Sequence, residues 1–419
     1  MLVFKFGGAS VKDAAGVTNL AQIVKRYSGE QVIIVVSAMG KTTNALEELA
    51  KAYHKSSDDV HNLYENIKQY HYGIMHQLFD DNHAVFDEVA NTFVEIDWML
   101  EDEPQDTYDF IYDQLVSVGE LLSTRIVNAC LNQQQVNSRW LDVRGYIHTD
   151  NTYREGLVDW DKTCAAIQRD IPAMLNKSIV VTQGFLGGTS ENFTTTLGRE
   201  GSDYTASILA SCLQAQSVTT WKDVPGVLNA DPKYFADTVK FDELSYTEAI
   251  EMTYYGATVI HPKTIKPLQN AGIPLLVKSF NDPEASGTII SNYGKPTFAK
   301  AVMIVKYNQV LLSLSAKDYS FISETHLSEI YQLFASNKVK INVVQTSALS
   351  LSLCFDRDND KFEKLINLLK PNYNLKYNQQ LYLLTLRHYT TSLLNQLIDG
   401  KDVYLEQISR NTAQVVIAE

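Results

Sequence analysis

Cysteine is scarce in this 419-residue chain: Cys130, Cys164, Cys212 and Cys354 lie far apart and form no C-x-x-C pair. Their contexts are apolar, as in Leu209-Ala210-Ser211-Cys212-Leu213, so they read as reduced core residues of a cytoplasmic protein. Dense runs of Lys or Arg are missing as well. With 36 basic against 49 acidic residues the net charge is −13, which argues against nucleic acid or an anionic membrane as the main partner, because either selects a cationic surface. A local cationic pocket for phosphates stays open to such a chain. No apolar stretch approaches membrane-spanning length, and Met1 to Gly8 has no charged segment followed by a long apolar one, so neither an anchor nor an export signal is expected.

What is present is ordinary globular composition, 45% hydrophobic and 20% charged, with room for two or three domains. The stretch richest in chemistry is Thr194-Thr195-Thr196-Leu197-Gly198-Arg199-Glu200-Gly201-Ser202-Asp203-Tyr204-Thr205, which runs into the apolar segment Ala206-Ser207-Ile208-Leu209-Ala210. Hydroxyls, glycines and an arginine ahead of a helix start make an anion cradle, since backbone N–H groups and the positive end of the helix dipole point there. Ser202 and Asp203 are also common N-cap residues, so a capped surface turn is the competing reading.

The chain opens with a strand, Leu2 to Phe6, that ends in Gly7-Gly8-Ala9-Ser10 and feeds a helix. Paired glycines let backbone amides close on an oxyanion, with Lys5 in reach; a tight strand-to-helix turn explains the same residues equally well. A second strand, Gln31 to Val36, ends in Ser37-Ala38-Met39-Gly40-Lys41-Thr42-Thr43-Asn44. Gly40-Lys41-Thr42 imitates the tail of a P-loop, but the glycine required five residues earlier is Val35, so that reading is rejected. Ser37 and Thr43 remain as hydroxyls at the carboxyl end of a strand.

From Ala45 to Gln135 the period is helical, with Phe86, Val89, Phe93, Ile96 and Leu100 on one face. Five histidines fall here (His54, His61, His71, His76, His83) without i,i+4 spacing or a cysteine partner, so they read as exposed helix-face residues and no metal ligand is assigned. Glu120, beside Gly119, suits either a cationic ligand group or a solvated helix face. Strand-like runs at Ser138 to Val143, Ser178 to Thr182, Ser217 to Trp221 and Pro274 to Lys278 alternate with helices, which implies a largely parallel sheet covered on both faces. Trp221-Lys222-Asp223-Val224-Pro225-Gly226 and Asp231-Pro232-Lys233 fit a turn-rich wall against a nucleotide or two plain β-turns. His261, before a proline, reads as structural. Beyond a linker at Asn292-Tyr293-Gly294-Lys295-Pro296 the order strand, helix, strand, strand, helix is that of a ferredoxin-like module, and a shorter copy follows Pro371.

Lys5-Phe6-Gly7-Gly8, Val36-Ser37-Ala38 through Thr43-Asn44, Gly119 to Thr124, Gln183-Gly184-Phe185, Thr194 to Thr205, Trp221 to Gly226 and Gly256 to Pro262 occur in the order and spacing of the aspartate kinases. The chain resembles that family over its whole length, closely to about residue 290. The resemblance implies an α/β amino-acid kinase fold, a mostly parallel sheet sandwiched by helices, with C-terminal ferredoxin-like ACT modules. The implied domains are 1–293, including a helical insertion over about 46–115, then 297–370 as one ACT module and 371–419 as a second that lacks its last helix and strand. The implied activity is phosphorylation of the side-chain carboxylate of L-aspartate by ATP with Mg2+, the entry to lysine, threonine and methionine synthesis, in a cytoplasmic homodimer held by the ACT modules. A same-fold kinase for another small acid and a non-catalytic amino-acid sensor are the alternatives.

By the same resemblance, Lys5 stabilises the transferring phosphoryl with Gly7, Gly8 and Ser10 around it, and Asp203 orients Lys5. Arg199 pairs with an aspartate carboxylate, Glu120 takes the ammonium, and Ser37, Thr43, Gly201 and Ser202 complete the amino-acid site. Lys222, Asp223, Leu228, Lys233, Thr258 and Val259 line the nucleotide. Departures from the family are Ala9 and Thr258, where relatives carry threonine and lysine, and Ala348, where lysine-sensitive relatives carry glutamate. The last of these speaks against inhibition by lysine.

Overall fold

The computed structural model describes residues 1–257, 260, 262–294, 300–318 and 320–418. Thr258, Val259, His261 and the Lys295-Pro296 end of the linker lie outside the described residues. The chain divides into two compact units: Met1–Val227, Lys240–Ile250 and Val259–Pro296 form the first, and Leu228–Val239, Glu251–Thr258 and Thr297–Glu419 the second.

The chain starts with β1 (Leu2–Phe6), α1 (Ala14–Lys25) and β2 (Val32–Val36). Both strands are buried apolar runs, as strands covered on two faces must be. Asp13 starts α1 by accepting the Gly16 amide at 2.8 Å. Four helices follow, α2 (Thr42–His54), α3 (Val60–Leu78), α4 (Val85–Glu101) and α5 (Tyr108–Gln133), which is the helical stretch expected from the periodicity. Then come β3 (Ser138–Leu141), α6 (Trp160–Leu175), β4 (Ile179–Gln183), the short hairpin β5 (Leu186–Gly188) and β6 (Thr194–Thr196), α7 (Gly201–Leu213) and β7 (Ser217–Lys222). They are followed by β8 (Glu243–Ser245), α8 (Tyr246–Tyr255), α9 (Pro262–Ala271), β9 (Leu275–Ser279) and β10 (Thr288–Ser291). The sheet runs β3-β4-β2-β1-β7-β9-β10-β8 and is parallel except between β9 and β10. That is the mostly parallel α/β sheet the sequence implies.

Two expectations fail here. His71 is not an exposed helix-face residue: it is fully buried, its ring nitrogens facing the Ile67 carbonyl and the Thr42 hydroxyl, and burial holds its pKa down at about 4. The cysteines are not all reduced thiols, because Cys164 on α6 and Cys212 on α7 form a disulfide, while Cys130 and Cys354 are free and buried. Spacing hid the bond, since its partners are 48 residues apart and meet only where the two helices pack. Closing a loop of that length restricts the unfolded chain, so Cys212→Ser is expected to lower the unfolding free energy by about 2–4 kcal/mol in a urea titration. Equal midpoints for the variant and the oxidised wild type would contradict this.

The second unit carries β11 (Val302–Ala316), α10 (Glu324–Ser336), β12 (Ile341–Thr346), β13 (Leu351–Asp356), α11 (Asn359–Leu369), β14 (Tyr373–Arg387), α12 (Thr391–Ile398), β15 (Val403–Ile408) and β16 (Thr412–Ala418). They form one antiparallel sheet in the order β12-β13-β11-β14-β16-β15. β11 and β14 are each 15 residues long, and their pairing shifts register around Gln309. Asn308 and Gln380 take left-handed backbone there, as a bulge demands. On one side of the bulge, β12, β13 and half of each long strand make one four-stranded set. On the other, Val302–Lys306 pairs with the far half of β14, which continues to β16 and β15. The fourth strand of the second set therefore comes from upstream of the first.

Candidate active site

The ends of β1, β2 and β7 and the start of α7 meet at the carboxyl edge of the first unit's sheet, the edge where open α/β sheets bind ligands. Lys5 lies in β1 opposite Val35 of β2 and Thr220 of β7. Its buried Nζ donates to Asp203 Oδ2 at 2.7 Å, and Thr220 Oγ1 donates to the other carboxylate oxygen at 3.4 Å. Burial alone would raise the Asp203 pKa, but Lys5, Lys222 and the two hydrogen bonds outweigh it and hold the carboxyl below its ordinary value. An ion pair kept charged in a buried cleft is a weak source of stability and a common mark of a site.

The turn after β1 nests against the loop after β2. Gly40 N donates to Gly8 O at 3.0 Å, and a Cβ on Gly8 would stand 2.5 Å from Ala38 O, so no side chain fits there. A Cβ on Gly201 would stand 2.6 Å from the Phe185 ring, which lets α7 start close under the strand ends. Ser10 and Ser202 are buried beside these turns, while Ser37 and Thr43 are half-buried.

Glu120 reaches the same edge from α5. It is 2% exposed, which removes the solvated-charge reading. Its Oε1 accepts the Ala38 amide at 3.3 Å, and Oε2 has no hydrogen-bond partner among the described residues. Burial pushes its pKa up to about 8, against the Ala38 amide and the Lys5 charge. Glu200, just before α7, is a further carboxylate that the sequence reading passed over. Burial and Asp203 raise its pKa, with Lys222, Lys5 and Arg199 opposing.

Lys5, Gly7, Gly8, Ser37, Glu120, Ser202, Asp203 and Lys222 are thus gathered along one edge. Arg199 and Asp223 are exposed beside it. Leu228, half-buried, and Lys233, exposed, belong to the second unit. Two of the three threonines before the loop do not offer their hydroxyls to a ligand: Thr195 shares a 2.6 Å hydrogen bond with Thr149, and Thr196 Oγ1 donates to Asp113 at 2.7 Å.

Asp113 is a second carboxylate the sequence reading missed. Fully buried on α5, it accepts Thr196 N at 2.9 Å and Arg154 N at 2.8 Å besides the Thr196 hydroxyl. Burial lifts its pKa to about 6 against these donors. Gln114 adds two bonds to the backbone of Thr194. A signal existed: Asp113, Ser117, Glu120 and Thr124 recur at i, i+4, i+7 and i+11, a polar stripe on a buried helix. Asp113→Ala strands three donors, so it is expected to cost about 3 kcal/mol of stability in urea unfolding and to weaken binding at the loop that follows Thr196. A loss below about 1 kcal/mol would show that water replaces the carboxylate.

Comparison with known proteins identifies the family. Residues 1–279 match the amino acid kinase family model. Lysine-sensitive aspartokinase 3 of Escherichia coli is 32% identical over 85% of this chain and 78% of its own length. Chloroplastic aspartokinase 1 of Arabidopsis thaliana is also 32% identical, over 84% of this chain and 63% of its own. The crystal structure of E. coli aspartokinase III with aspartate and ADP superposes with a TM-score of 0.85 at 27% identity, covering 100% of this chain and 96% of that one. The chain belongs to the amino acid kinase family, and within it to the aspartokinases. Its activity is that of an aspartate kinase, a phosphotransferase with a carboxyl group as acceptor.

Proposed function

We propose that this edge binds ATP and L-aspartate and transfers the γ-phosphoryl to the side-chain carboxylate, giving 4-phospho-L-aspartate and ADP. The observation that carries the assignment of residues is the buried Lys5–Asp203 pair at the meeting of the two glycine turns. An aspartate carboxylate oxygen attacks the γ-phosphorus in line, the new P–O bond forms as the bond to the β-phosphate oxygen breaks, and ADP leaves. Such a transfer needs positioned reactants and neutralised charge more than a base. Lys5 keeps two N–H donors beyond the one given to Asp203, and these suit the equatorial oxygens of the moving phosphoryl. Arg199 is exposed at the mouth to pair with an aspartate carboxylate. Glu120, with an unpartnered oxygen, takes the ammonium, and the hydroxyls of Ser37, Thr43 and Ser202 with the Gly201 backbone fix the remainder. Lys222 and Asp223 begin the nucleotide wall, to which Leu228, Lys233, Thr258 and Val259 are assigned.

Mg2+ fits the donor set. No group of three metal-ligating side chains occurs among the described residues, and magnesium on a nucleotide takes one or two carboxylates with phosphate and water oxygens, a demand that Asp203 meets. When bound, the ion neutralises phosphate charge. The domain reading is a kinase domain over 1–293 and two ACT modules after it. We place the homodimer contact on the C-terminal unit, where β15 exposes Val403, Tyr404 and Ile408. A cytoplasmic setting, where ATP is at hand, suits the reaction; among the described residues no helix is long and apolar enough to cross a membrane.

The test is ADP release from MgATP with L-aspartate in the presence of hydroxylamine, which traps an acyl phosphate as a hydroxamate. Aspartate-dependent hydroxamate is expected, glutamate and acetylglutamate giving little. Added lysine is expected to change the rate little, given Ala348. Ligand binding by folded protein without ADP release would favour the sensor.

A further inference from the structure

The groove between α2 and α3 has no part in the roles assigned above. Leu63, Ile67 and Tyr70 stand on one face of α3, at i, i+4 and i+7, and with Ala45 of α2 they line a cavity of about 560 Å3. An apolar hollow of that size with a few polar groups at its edge has the form of a small-molecule site. Lys12, from the turn between β1 and α1, and Lys41, at the start of α2, supply positive charge. Both are exposed, and neither ammonium is ion-paired among the described residues. Two carboxylates line the groove as well. Asp13 is engaged as the cap of α1, accepting the Gly16 amide, and Glu48 is exposed two turns along α2 from Lys41. The groove also backs onto the glycine turns. Tyr70 Oη donates to the Lys12 carbonyl at 2.5 Å, and a Cβ on Gly40 would stand 2.5 Å from the same hydroxyl. Gly40 N in turn donates to Gly8 O at 3.0 Å. Tyr70 is thus both a wall of the groove and a support for the turn after β1.

We propose that this groove binds a small amphipathic anion, an apolar body of one or two rings or an equivalent acyl chain carrying one acidic group, and that its occupation is felt at the Gly7-Gly8 turn. The apolar body covers Ala45, Leu63, Ile67 and the Tyr70 ring, and the acidic group takes the two unpaired ammonium groups of Lys12 and Lys41. The ligand holds Tyr70 against Gly40, and Gly40 holds Gly8, so the occupied groove favours the closed turn. By linkage, nucleotide and groove ligand then tighten one another by the same factor. That coupling, but not the groove site itself, rests on the reading of the Gly7-Gly8 turn as a phosphate cradle.

The probe is anilinonaphthalene sulfonate, a fluorescent apolar anion, with phenylnaphthylamine as its uncharged counterpart. Both are titrated into the full chain as wild type, as Ala45→Trp, and as the double variant Lys12→Glu with Lys41→Glu. ADP affinity is measured by calorimetry in the presence of Mg2+, with and without saturating sulfonate. Ala45→Trp fills the groove and is expected to weaken both probes about tenfold or more. The charge variant is expected to weaken the sulfonate about tenfold, the scale of a lost hydrogen bond to a charged group, and to leave the uncharged probe within twofold of wild type. In wild type the sulfonate is expected to tighten ADP about fivefold, an effect absent from Ala45→Trp. The charge variant alters only exposed side chains, so the test stands even where Ala45→Trp does not fold. Sulfonate affinity within twofold of wild type in the charge variant, or a sulfonate that ADP displaces, overturns the inference. An ADP affinity that the bound sulfonate leaves unchanged overturns the coupling. Wild type that binds no ADP in the absence of probe overturns instead the reading of the sheet edge as a nucleotide site, and that control tells the failures apart.

Discussion

Lys5→Met lowers kcat by about 10^3-fold, the loss seen when one preorganised donor to a developing charge is removed. The substitution also leaves Asp203 buried without its 2.7 Å partner, and an orphaned buried charge costs about 3–5 kcal/mol. Reduced turnover and reduced stability are therefore expected together in the single variant, and a second variant separates them. Lys5→Met with Asp203→Asn removes both charges, so stability returns most of the way while turnover stays low. The pH dependence has a definite sign. Asp203 has a depressed pKa, so its contribution to stability is present above the pKa of an unfolded aspartate and is lost as the pH falls through the folded value. Hydroxamate formation and thermal melting, measured on wild type and both variants, check each part. A double variant that regains activity along with stability would falsify the phosphoryl-contacting role of Lys5.

Glu120→Gln raises the KM for aspartate by about 10–100-fold, as expected for a lost hydrogen bond to a charged group, and changes its dependence on pH. With its pKa pushed up to about 8, Glu120 is mostly protonated at neutral pH in the free protein. An ammonium binds well only to the carboxylate, so binding expels that proton. The wild-type KM for aspartate is then expected to fall by up to about tenfold per pH unit as the pH rises toward 8 and to level off above it. In Glu120→Gln that slope disappears. Stability moves the other way. The native chain holds the Glu120 proton up to about pH 8, whereas the unfolded chain releases it near the ordinary glutamate value, so stability falls as the pH rises between those points. The variant lacks this decline and becomes the more stable protein at pH 8. Aspartate KM values and urea midpoints at half-unit steps from pH 6 to 9 test both. A wild-type KM that is flat over that range would remove Glu120 from ammonium binding.

Much of the site was legible because its chemistry is local. Gly7-Gly8 after β1, Ser37 after β2 and Ser202-Asp203 at the start of α7 are strand ends and a helix start, and each announces itself within a few residues. Lys5 was legible for the same reason. Glu120 was visible as a candidate, but its state was not. A glutamate on a 26-residue helix has the same sequence whether it faces water or a sheet, and only the burial of α5 makes it a raised-pKa carboxylate. Asp113 was missed because its partners, Thr196 and the Arg154 backbone, lie 83 and 41 residues away. The Thr195 and Thr196 hydroxyls were misread for the converse reason. They stand next to the glycine-rich loop before α7 in sequence, yet neighbours from other elements consume them.

The sequence by itself determined the mostly parallel sheet, the helical stretch after β2 and the membership in a kinase family, because hydrophobic period, glycine placement and capping residues act over short spans. Only the tertiary structure decided which groups meet. It joined Cys164 to Cys212, enclosed His71, committed Lys5 to Asp203 and ran β11 and β14 through both halves of one sheet. Each of these depends on long-range packing that excludes water. Dielectric, hydrogen-bond partners and protonation follow from that exclusion, and no local pattern of residues specifies it.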